Sequence, residues 1–195
     1  MRHGAQAGGR PIIRNRSPTE IDDKASMTAS LRLRPTMLSD LDFVLSVERD
    51  AANLPFITPW ERTQHEGAVR FPDFRHFIVE AGEGTQAAGF VILQGCRNPH
   101  GSVELKRIVL QTKGQGLGRA CVRLLARMAF RDLHAHRFWL DVKALNTRAK
   151  ALYESEGFIV EGTLRDAVRI DGGYDSLIVM SMLASEYAAR KAAAG

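Results

Sequence analysis

A glycine-rich stretch of the sequence, QTKGQGLGRAC at residues 111–121, has the composition of an anion-binding loop. Gly114, Gly116 and Gly118 alternate with other residues, and Lys113 and Arg119 supply positive charge beside them. Glycine lets a backbone approach a bulky anion. The first backbone N–H groups of a helix have no partner within it and lie at the positive end of its dipole. The stretch therefore predicts a loop that binds phosphate or pyrophosphate.

Three interpretations of this loop compete. A Walker loop requires Gly-x4-Gly-Lys-Ser/Thr, and Gly118 is followed instead by Arg119 and Ala120, which excludes it. A dinucleotide-binding loop requires G-x-G-x-x-G in an opening βαβ unit, whereas the spacing here is G-x-G-x-G, late in the chain. In the third interpretation the glycines only form a turn, and the loop alone does not decide between this turn and a phosphate site.

The loop lies between a predicted strand and a predicted amphipathic helix. The stretch VELKRIVL at 103–110 has the pattern of a strand, and apolar residues recur at helical spacing from Leu117 to Phe130. Further strands are predicted at HFIVEA, AAGFVILQG, HRFWLDV, FIVEGTLR and YDSLIVMSML. A helix that Asn146 caps and Gly157 ends lies among them. This order predicts a mixed α/β fold.

The pattern of apolar residues places one domain at residues 30–184. Residues 1–29 are rich in Gly, Ser, Arg and Asp, so we expect a disordered tail, within which Met27 could be the true start of the protein. Residues 185–195 are predicted to be a C-terminal tail with the composition of a frayed helix.

Composition excludes several classes of function. The chain has 195 residues, 45% of them hydrophobic, and a net charge of +5, and it shows no basic face interleaved with aromatic residues, so we expect no nucleic-acid partner. Cys96 and Cys121 form no CxxC pair, and no metal site or disulfide framework is predicted. No apolar run approaches the roughly 18 residues of a membrane helix. We therefore expect a cytoplasmic protein with no membrane partner.

The segment FWLDVKALNTRAKALYESEGFIVEG adds a capping Asn, a Tyr seven residues later and a GF entering a strand. Together with the glycine loop, it resembles the GNAT superfamily of N-acetyltransferases. The resemblance covers residues 31–183 in element order, is sharp over 104–163, and within the superfamily is greatest to the Rim-type enzymes that acetylate protein N-termini. It implies a single α/β (α+β) domain whose mixed, mostly antiparallel sheet splays at the acetyl-CoA site, flanked by about four helices.

The resemblance also implies a set of residues that bind acetyl-CoA. The family signature Arg/Gln-x-x-Gly-x-Gly/Ala maps Gly116 and Gly118 onto its glycines and Lys113 onto the Arg/Gln place. A shifted register, Gln111 with Gly114 and Gly116, matches too, but the first register aligns the following helix as the family has it. The full implied set also includes backbone that flanks the pantetheine and residues of two helices: Ile108, Val109, Leu110, Gly114, Leu117, Arg119, Asn146 and Ala149.

Acetyl transfer to an amine requires a proton acceptor for the amine and a proton donor for the departing thiolate. By resemblance the donor is Tyr153, which could otherwise be a core aromatic. Two carboxylates compete as the base: Glu104, before the glycine loop, and Asp141, where Rim-type enzymes have a glutamate. Asp is one methylene shorter, which favours a bridging water. Each could instead be solvated or ion-paired, for example Glu104 with Lys106.

Trp60 and Glu61 lie in the region that shapes the amine pocket in the family. The implied function is acetyl-CoA-dependent N-acetylation of a primary amine, either a protein N-terminus or a small molecule, by direct attack in a ternary complex. Cys121 falls within an apolar stripe, which disfavours a covalent intermediate. A non-catalytic acyl-CoA-binding module and a dinucleotide-binding domain are the alternatives, and a homodimer is expected by analogy with the family.

Overall fold

The computed structural model describes residues 31–82 and 86–193, which contain seven strands and five α-helices. In chain order these elements are β1 (Arg32–Pro35), α1 (Leu41–Glu48), α2 (Arg62–Arg70), β2 (Arg75–Ala81), β3 (Gln86–Gln94), β4 (Ser102–Leu110), α3 (Leu117–Arg127), β5 (Arg137–Lys143), α4 (Thr147–Glu156), β6 (Ile159–Ile170), β7 (Gly173–Leu183) and α5 (Ala184–Ala193).

The strands form one sheet in the order β1-β2-β3-β4-β5-β7-β6. Every neighbouring pair is antiparallel except β4 and β5, which are parallel and pair only from Ser102–Glu104 to Arg137–Trp139. A bulge in the β3–β4 register, between Leu105 and Arg107 of β4, directly follows the place where β4 leaves β5. The sheet is therefore open between these two strands, just before the glycine loop.

The two faces of the sheet carry separate apolar cores. The larger core contains the buried stripe of α3, including Cys121 and Leu125, and Tyr153 of α4. The smaller core packs α1, through Leu41 and Val44, against β2, β3 and β4. Because α3 follows β4 and α4 follows β5, and these strands are parallel, both helices begin at the end of the sheet where the two strands separate.

The predicted fold class is confirmed: the chain forms a single domain with a mixed, mostly antiparallel sheet that splays between β4 and β5. The described residues hold five α-helices where about four were expected, because residues 184–193 form a regular helix rather than a frayed tail. Tyr187 of this helix stacks on Phe130 at 4.8 Å between ring centroids, which holds it against the domain. The tail at 1–29, with Met27, lies outside the described residues.

The interpretation as a dinucleotide-binding domain is wrong. Such a domain is built on a largely parallel sheet of βαβ units, whereas the described sheet has one parallel pair over three residues. Of the described helices, none combines the length and the apolar character that crossing a membrane requires.

Candidate active site

The glycine loop is an open cradle in front of α3. Gly114 and Gly116 have φ of +89° and +77°, the left-handed region that favours glycine. No atom lies within 4 Å of the position a Cβ would take at either residue. The Gly116 carbonyl accepts the first hydrogen bond of the helix, from the Ala120 N–H at 3.1 Å. The loop thus leaves room for an anion in front of the unpartnered N–H groups of the first turn.

Gly118 has a different role from the two loop glycines. It lies in the first turn of α3, and a Cβ there would be 3.5 Å from Leu152 of α4 and 3.8 Å from Leu110 of β4. The residue therefore sets how closely the start of α3, with Leu117, packs against β4 and α4.

The two cations beside the loop are engaged by other parts of the chain. The Lys113 ammonium donates to the Ala52 carbonyl and lies 5.5 Å from the Phe56 ring, and partial burial lowers its pKa. Arg119 forms an ion pair with Glu156 and donates to the Ser155 hydroxyl at 3.0 Å. In this arrangement the backbone, rather than these side chains, faces the anion cradle.

Beyond Glu104, β4 continues to pair with β3 but not with β5. Its edge at residues 105–110 therefore has no strand partner on the β5 side. Ile108 borders the gap, Val109 is buried on the opposite face, and Leu110 packs against the core beneath α3. The predicted backbone of Ile108, Val109 and Leu110 therefore lies along the splayed edge. Alternate N–H groups of an extended strand point to opposite sides, so those that point away from β3 have no strand partner there.

A cleft of about 280 Å³ fills this gap and brings together predicted residues from distant parts of the chain. Tyr153, Asp141, Asn146, Ile108 and Trp60 all line it. The remainder of its lining comes from the segment before α2 and from four strands: Phe56, Ile57, Thr58, Leu105, Lys106, Arg107, Val142, Lys143, Val168 and Leu177.

Tyr153 combines a buried ring with a place on the cleft. The residue is 6% exposed, and its ring packs edge-on against Phe158. Burial, and to a lesser extent the negative charge of Asp141, raise the pKa of the phenol well above its usual value. The hydroxyl therefore remains protonated at neutral and mildly alkaline pH, as a proton donor must.

The two candidate carboxylates lie in different environments. Asp141 is exposed and lines the cleft. Glu104 is 8% exposed, stands outside the lining, and accepts a hydrogen bond from Lys106 at 3.0 Å, the ion pair that the sequence left open. Burial raises the pKa of Glu104, which the Lys106 contact partly offsets. Asp141 is thus the carboxylate that a molecule in the cleft can reach directly.

Asn146 caps α4 and lines the cleft at once. Its side-chain oxygen accepts the Ala149 N–H at 3.2 Å, as the predicted cap requires, and its amide nitrogen stays available to a ligand. Beside it, the Lys143 ammonium donates to the Pro55 carbonyl at 3.2 Å, which ties the segment before α2 to β5.

The two residues predicted to shape the amine pocket, Trp60 and Glu61, lie in different surroundings. Trp60 lines the cleft, with the Arg107 guanidinium 4.6 Å from the centroid of its ring. Glu61 stands outside the lining, where it caps α2 and its side chain is 80% exposed near Arg49. The structure therefore brings Trp60, but not Glu61, into the cleft.

The sequence analysis missed a buried polar group next to Trp60. Glu48 is fully buried and contacts Arg107, Trp60 and His65, and His65 contacts the buried His76. One signal was available: Glu48 follows Leu41 and Val44 at helical spacing on the buried side of α1, where an apolar residue would be ordinary.

A second cleft of about 280 Å³ lies between α3, α4 and α5. Its charged groups include Arg123, which is paired with Glu156, and Arg190, which donates to the Ser155 carbonyl. The Glu156 carboxylate in its lining is held in ion pairs with Arg119 and Arg123. Asp141 and Tyr153 instead line the cleft between β4 and β5, so the chemistry of acetyl transfer points to that cleft.

The open glycine loop in front of α3 and the sheet that splays between β4 and β5 fit an acyl-CoA-dependent acyltransferase. The family model described as "Acetyltransferase (GNAT) domain" matches residues 30–159. The chain belongs to the GNAT family of acetyltransferases, and the prediction of an N-acetyltransferase is confirmed.

Two sequence relatives illustrate the range of acceptors in the family. A spermidine N(1)-acetyltransferase of Vibrio cholerae is 29% identical over 174 residues, covering 83% of this chain and 97% of that protein. A mycothiol acetyltransferase of Jonesia denitrificans is 32% identical over 135 residues, covering 62% of this chain and 40% of that protein.

Solved structures of the Vibrio cholerae spermidine enzyme share this fold. Its complex with CoA and spermine has a TM-score of 0.73 at 27% identity, covering 80% of this chain and 97% of that one. A dodecameric form of it has a TM-score of 0.70 at 26% identity, covering 80% of this chain and 95% of that one.

Proposed function

We propose that this protein transfers the acetyl group of acetyl-CoA to a primary amine, of a small molecule or a protein N-terminus, by direct attack of the amine within a ternary complex. The observation that carries the proposal is that Asp141 and Tyr153, from β5 and α4, line one cleft where β4 leaves β5. The two groups are a carboxylate that can accept a proton and a phenol kept protonated by its surroundings.

The residues around the opening suit acetyl-CoA. The loop at Gly114 and Gly116 offers backbone N–H groups for the pyrophosphate, with space that side chains would otherwise occupy. The free edge of β4 at Ile108–Leu110 and the Asn146 amide would hold the pantetheine arm. When bound, acetyl-CoA supplies the acetyl group as a thioester, whose carbonyl a free β4 N–H would polarise.

The proton steps are assigned to Asp141 and Tyr153. An alkyl ammonium must lose a proton before it attacks, and Asp141, directly or through a water, accepts it. The Tyr153 hydroxyl donates a proton to the departing thiolate of CoA. Cys121 is excluded as an acyl carrier because it is fully buried, and burial raises the pKa of its thiol to about 12. This supports direct transfer rather than an acetyl-enzyme.

The charged residues that line the cleft limit how many ammonium groups the acceptor can carry. Among the lining residues, Asp141 is the one carboxylate, beside the cations Lys106, Arg107 and Lys143. Lys106 and Arg107 are already paired with Glu104 and Glu48. Asp141 can balance one ammonium group, and Lys143, which contacts the Pro55 carbonyl, would repel further ones. We therefore propose an acceptor with a single amine and a neutral or anionic remainder, which a small molecule or a protein N-terminus can provide, in contrast to the spermidine of the Vibrio cholerae relative.

A thiol-release assay with acetyl-CoA tests both parts of this proposal. The acceptors are matched: spermidine, a monoamine of similar length, an amino acid, and a short peptide with a free N-terminus. We expect release with one of the single-amine acceptors and a kcat/KM for spermidine at least about tenfold lower. A preference for spermidine contradicts the charge argument. CoA binding without thiol release for any amine would instead support the non-catalytic module.

We also propose self-association through β6. This strand is an edge of the described sheet, and Ile159, Val160 and Leu164 on it are 56%, 42% and 52% exposed. Apolar side chains on a long free edge favour a partner, and a second copy is proposed because a relative is dodecameric. Light scattering should show an oligomer that Leu164→Glu dissociates; a monomeric parent chain contradicts the proposal. The cytoplasmic location remains a prediction.

A further inference from the structure

A series of buried polar side chains runs behind the cleft, from Thr36, just after β1, through β2 and α2 to α1. The Thr36 hydroxyl lies 2.9 Å from His76 Nδ1, His76 Nε2 lies 3.2 Å from His65 Nδ1, and His65 Nε2 lies 3.0 Å from Glu48 Oε2. Glu48 and His65 have no exposed surface, and Thr36 and His76 are each 6% exposed. Burying these groups is costly unless each finds a partner, and here each contacts the next.

The hydrogen bonds between these buried side chains all run in one direction. A carboxylate oxygen accepts, so in the tautomer that satisfies Glu48 the His65 Nε2–H donates to it. His65 Nδ1 then accepts from His76 Nε2–H, and His76 Nδ1 accepts from the Thr36 hydroxyl. Every donor therefore points toward Glu48, which fixes the rotamer of its carboxylate.

The other contacts of Glu48 end on the wall of the cleft. Its Oε2 accepts the Trp60 backbone N–H at 3.0 Å, and its Oε1 lies 3.1 Å from Arg107 Nη1. Arg107 in turn donates to the Thr58 carbonyl at 2.7 Å and stacks on Trp60. One carboxylate thus holds the backbone of the segment before α2 and a side chain of β4 in a single arrangement. We call Thr58, Trp60 and Arg107 the acceptor wall.

The ion pair is not the arrangement that stability alone favours. Glu48 Oε1 and Arg107 Nε are the two buried side-chain polar atoms that lack a hydrogen-bond partner among the described residues. A well-packed apolar pair of similar volume is often at least as stable as a buried ion pair. The pair therefore need not add stability, and it lies beside the cleft, where a fixed guanidinium and a fixed indole have a use.

We propose that Glu48 is a positioning residue for the acceptor wall, oriented by His65, His76 and Thr36, and that it acts on acceptor binding without touching either substrate. The proposal rests on the proposed function. It predicts that disturbing Glu48 raises the KM for the amine while leaving CoA affinity and kcat nearly unchanged.

The test is Glu48→Gln in a Trp139→Phe background, so that Trp60 is the remaining tryptophan of the two in the chain. We expect the KM for the best amine to rise about tenfold because the acceptor wall is displaced, with kcat and the Kd for CoA changed less than about twofold. Acrylamide quenching of Trp60 fluorescence should increase without any substrate. Asp42→Asn, on the same helix but with its carboxylate exposed and paired with Arg62, is the matched control and should change neither KM nor quenching.

The outcomes separate this proposal from the proposed function. An unchanged amine KM in a variant that still binds CoA overturns the positioning role, as does an equal loss of CoA affinity and kcat. If the parent protein acetylates no amine, the proposed function fails, and the quenching of Trp60 alone decides the positioning role. If Glu48→Gln does not fold, Thr36→Val provides the same readouts from the far end of the series, and unchanged KM and quenching there also overturn the proposal.

Discussion

The buried His76 predicts that the protein loses stability as the pH falls below neutrality. Burial, reinforced by the neighbouring His65, lowers the pKa of His76 from its usual 6.5 to about 3. In the unfolded chain the same imidazole binds a proton near pH 6.5. Between these two values the unfolded state binds more protons than the folded state, so the free energy of unfolding falls as the pH falls. The contribution is fully present above about pH 6.5 and is lost progressively toward about pH 3.

The size of this effect follows from the two pKa values. Between pH 7.5 and 5.5 the folded ring stays neutral, while the unfolded ring goes from about one-tenth to about nine-tenths protonated. The free energy of unfolding should therefore fall by about 1.4 kcal/mol from this residue alone. The residue is 6% exposed, so screening by solvent is small.

Urea unfolding followed by circular dichroism at the two pH values measures this change. In His76→Gln the amide can bridge Thr36 and His65 but does not titrate in this range, so the pH-dependent loss should shrink by about 1.4 kcal/mol. Thr36→Val is the matched control, because it removes the contact at 2.9 Å but keeps the imidazole. It should lower stability at both pH values and keep the parent slope. Equal pH dependence in the parent protein and His76→Gln would refute the reasoning.

Three further predictions concern the cleft and the glycine loop. Tyr153→Phe should lower kcat by about 10²-fold or more and leave the Kd for CoA within about twofold, by thiol release and calorimetry; an unchanged kcat contradicts the donor role. Asp141→Asn should lower kcat more than Glu104→Gln, in the same assay, because only Asp141 faces the cleft; the reverse order reassigns the base. Gly116→Ala should lower the free energy of unfolding by about 1 kcal/mol, because residue 116 has φ of +77°, and it should weaken CoA binding. Gly118→Ala should lower the free energy of unfolding less, measured with urea, because Gly118 is not in the left-handed region.

The fold could be predicted because its signals are local and periodic. The helical spacing from Leu117, the cap at Asn146 and the terminating Gly157 each depend on residues within a few positions of one another, and the structure has all three. The C-terminal helix was underestimated for the opposite reason. Its ten residues gain their stability from tertiary contacts, such as Tyr187 on Phe130, and a short helix is marginal on its own.

Only part of the site could be predicted from the sequence, because the orientation of its side chains depends on tertiary structure. The glycines of the loop are marked by their spacing in the sequence, whereas the roles of Tyr153 and Asp141 rest on the resemblance to the family and stay predictions. The choice between Asp141 and Glu104 depended on which carboxylate faces the cleft and which is paired with Lys106, a matter of strand twist and the bulge in β4. Sequence spacing carries no such information.

The binding sites of the two substrates differ in the same way: the sequence marks one of them locally, and the other depends on tertiary contacts. A pyrophosphate is bound by backbone N–H groups, which every residue except proline possesses, so a few glycines and a helix start suffice to form its site. The segment at 138–162 was also needed to indicate the class of enzyme. The acceptor instead meets side chains that come from separate elements and are fixed by contacts such as Glu48 with Arg107, 59 positions apart in the chain. A change at one such contact can redirect the cleft to another amine while the CoA loop stays the same. Acceptor specificity should therefore follow the charges and the buried supports of the acceptor wall more closely than overall sequence identity to the spermidine enzyme.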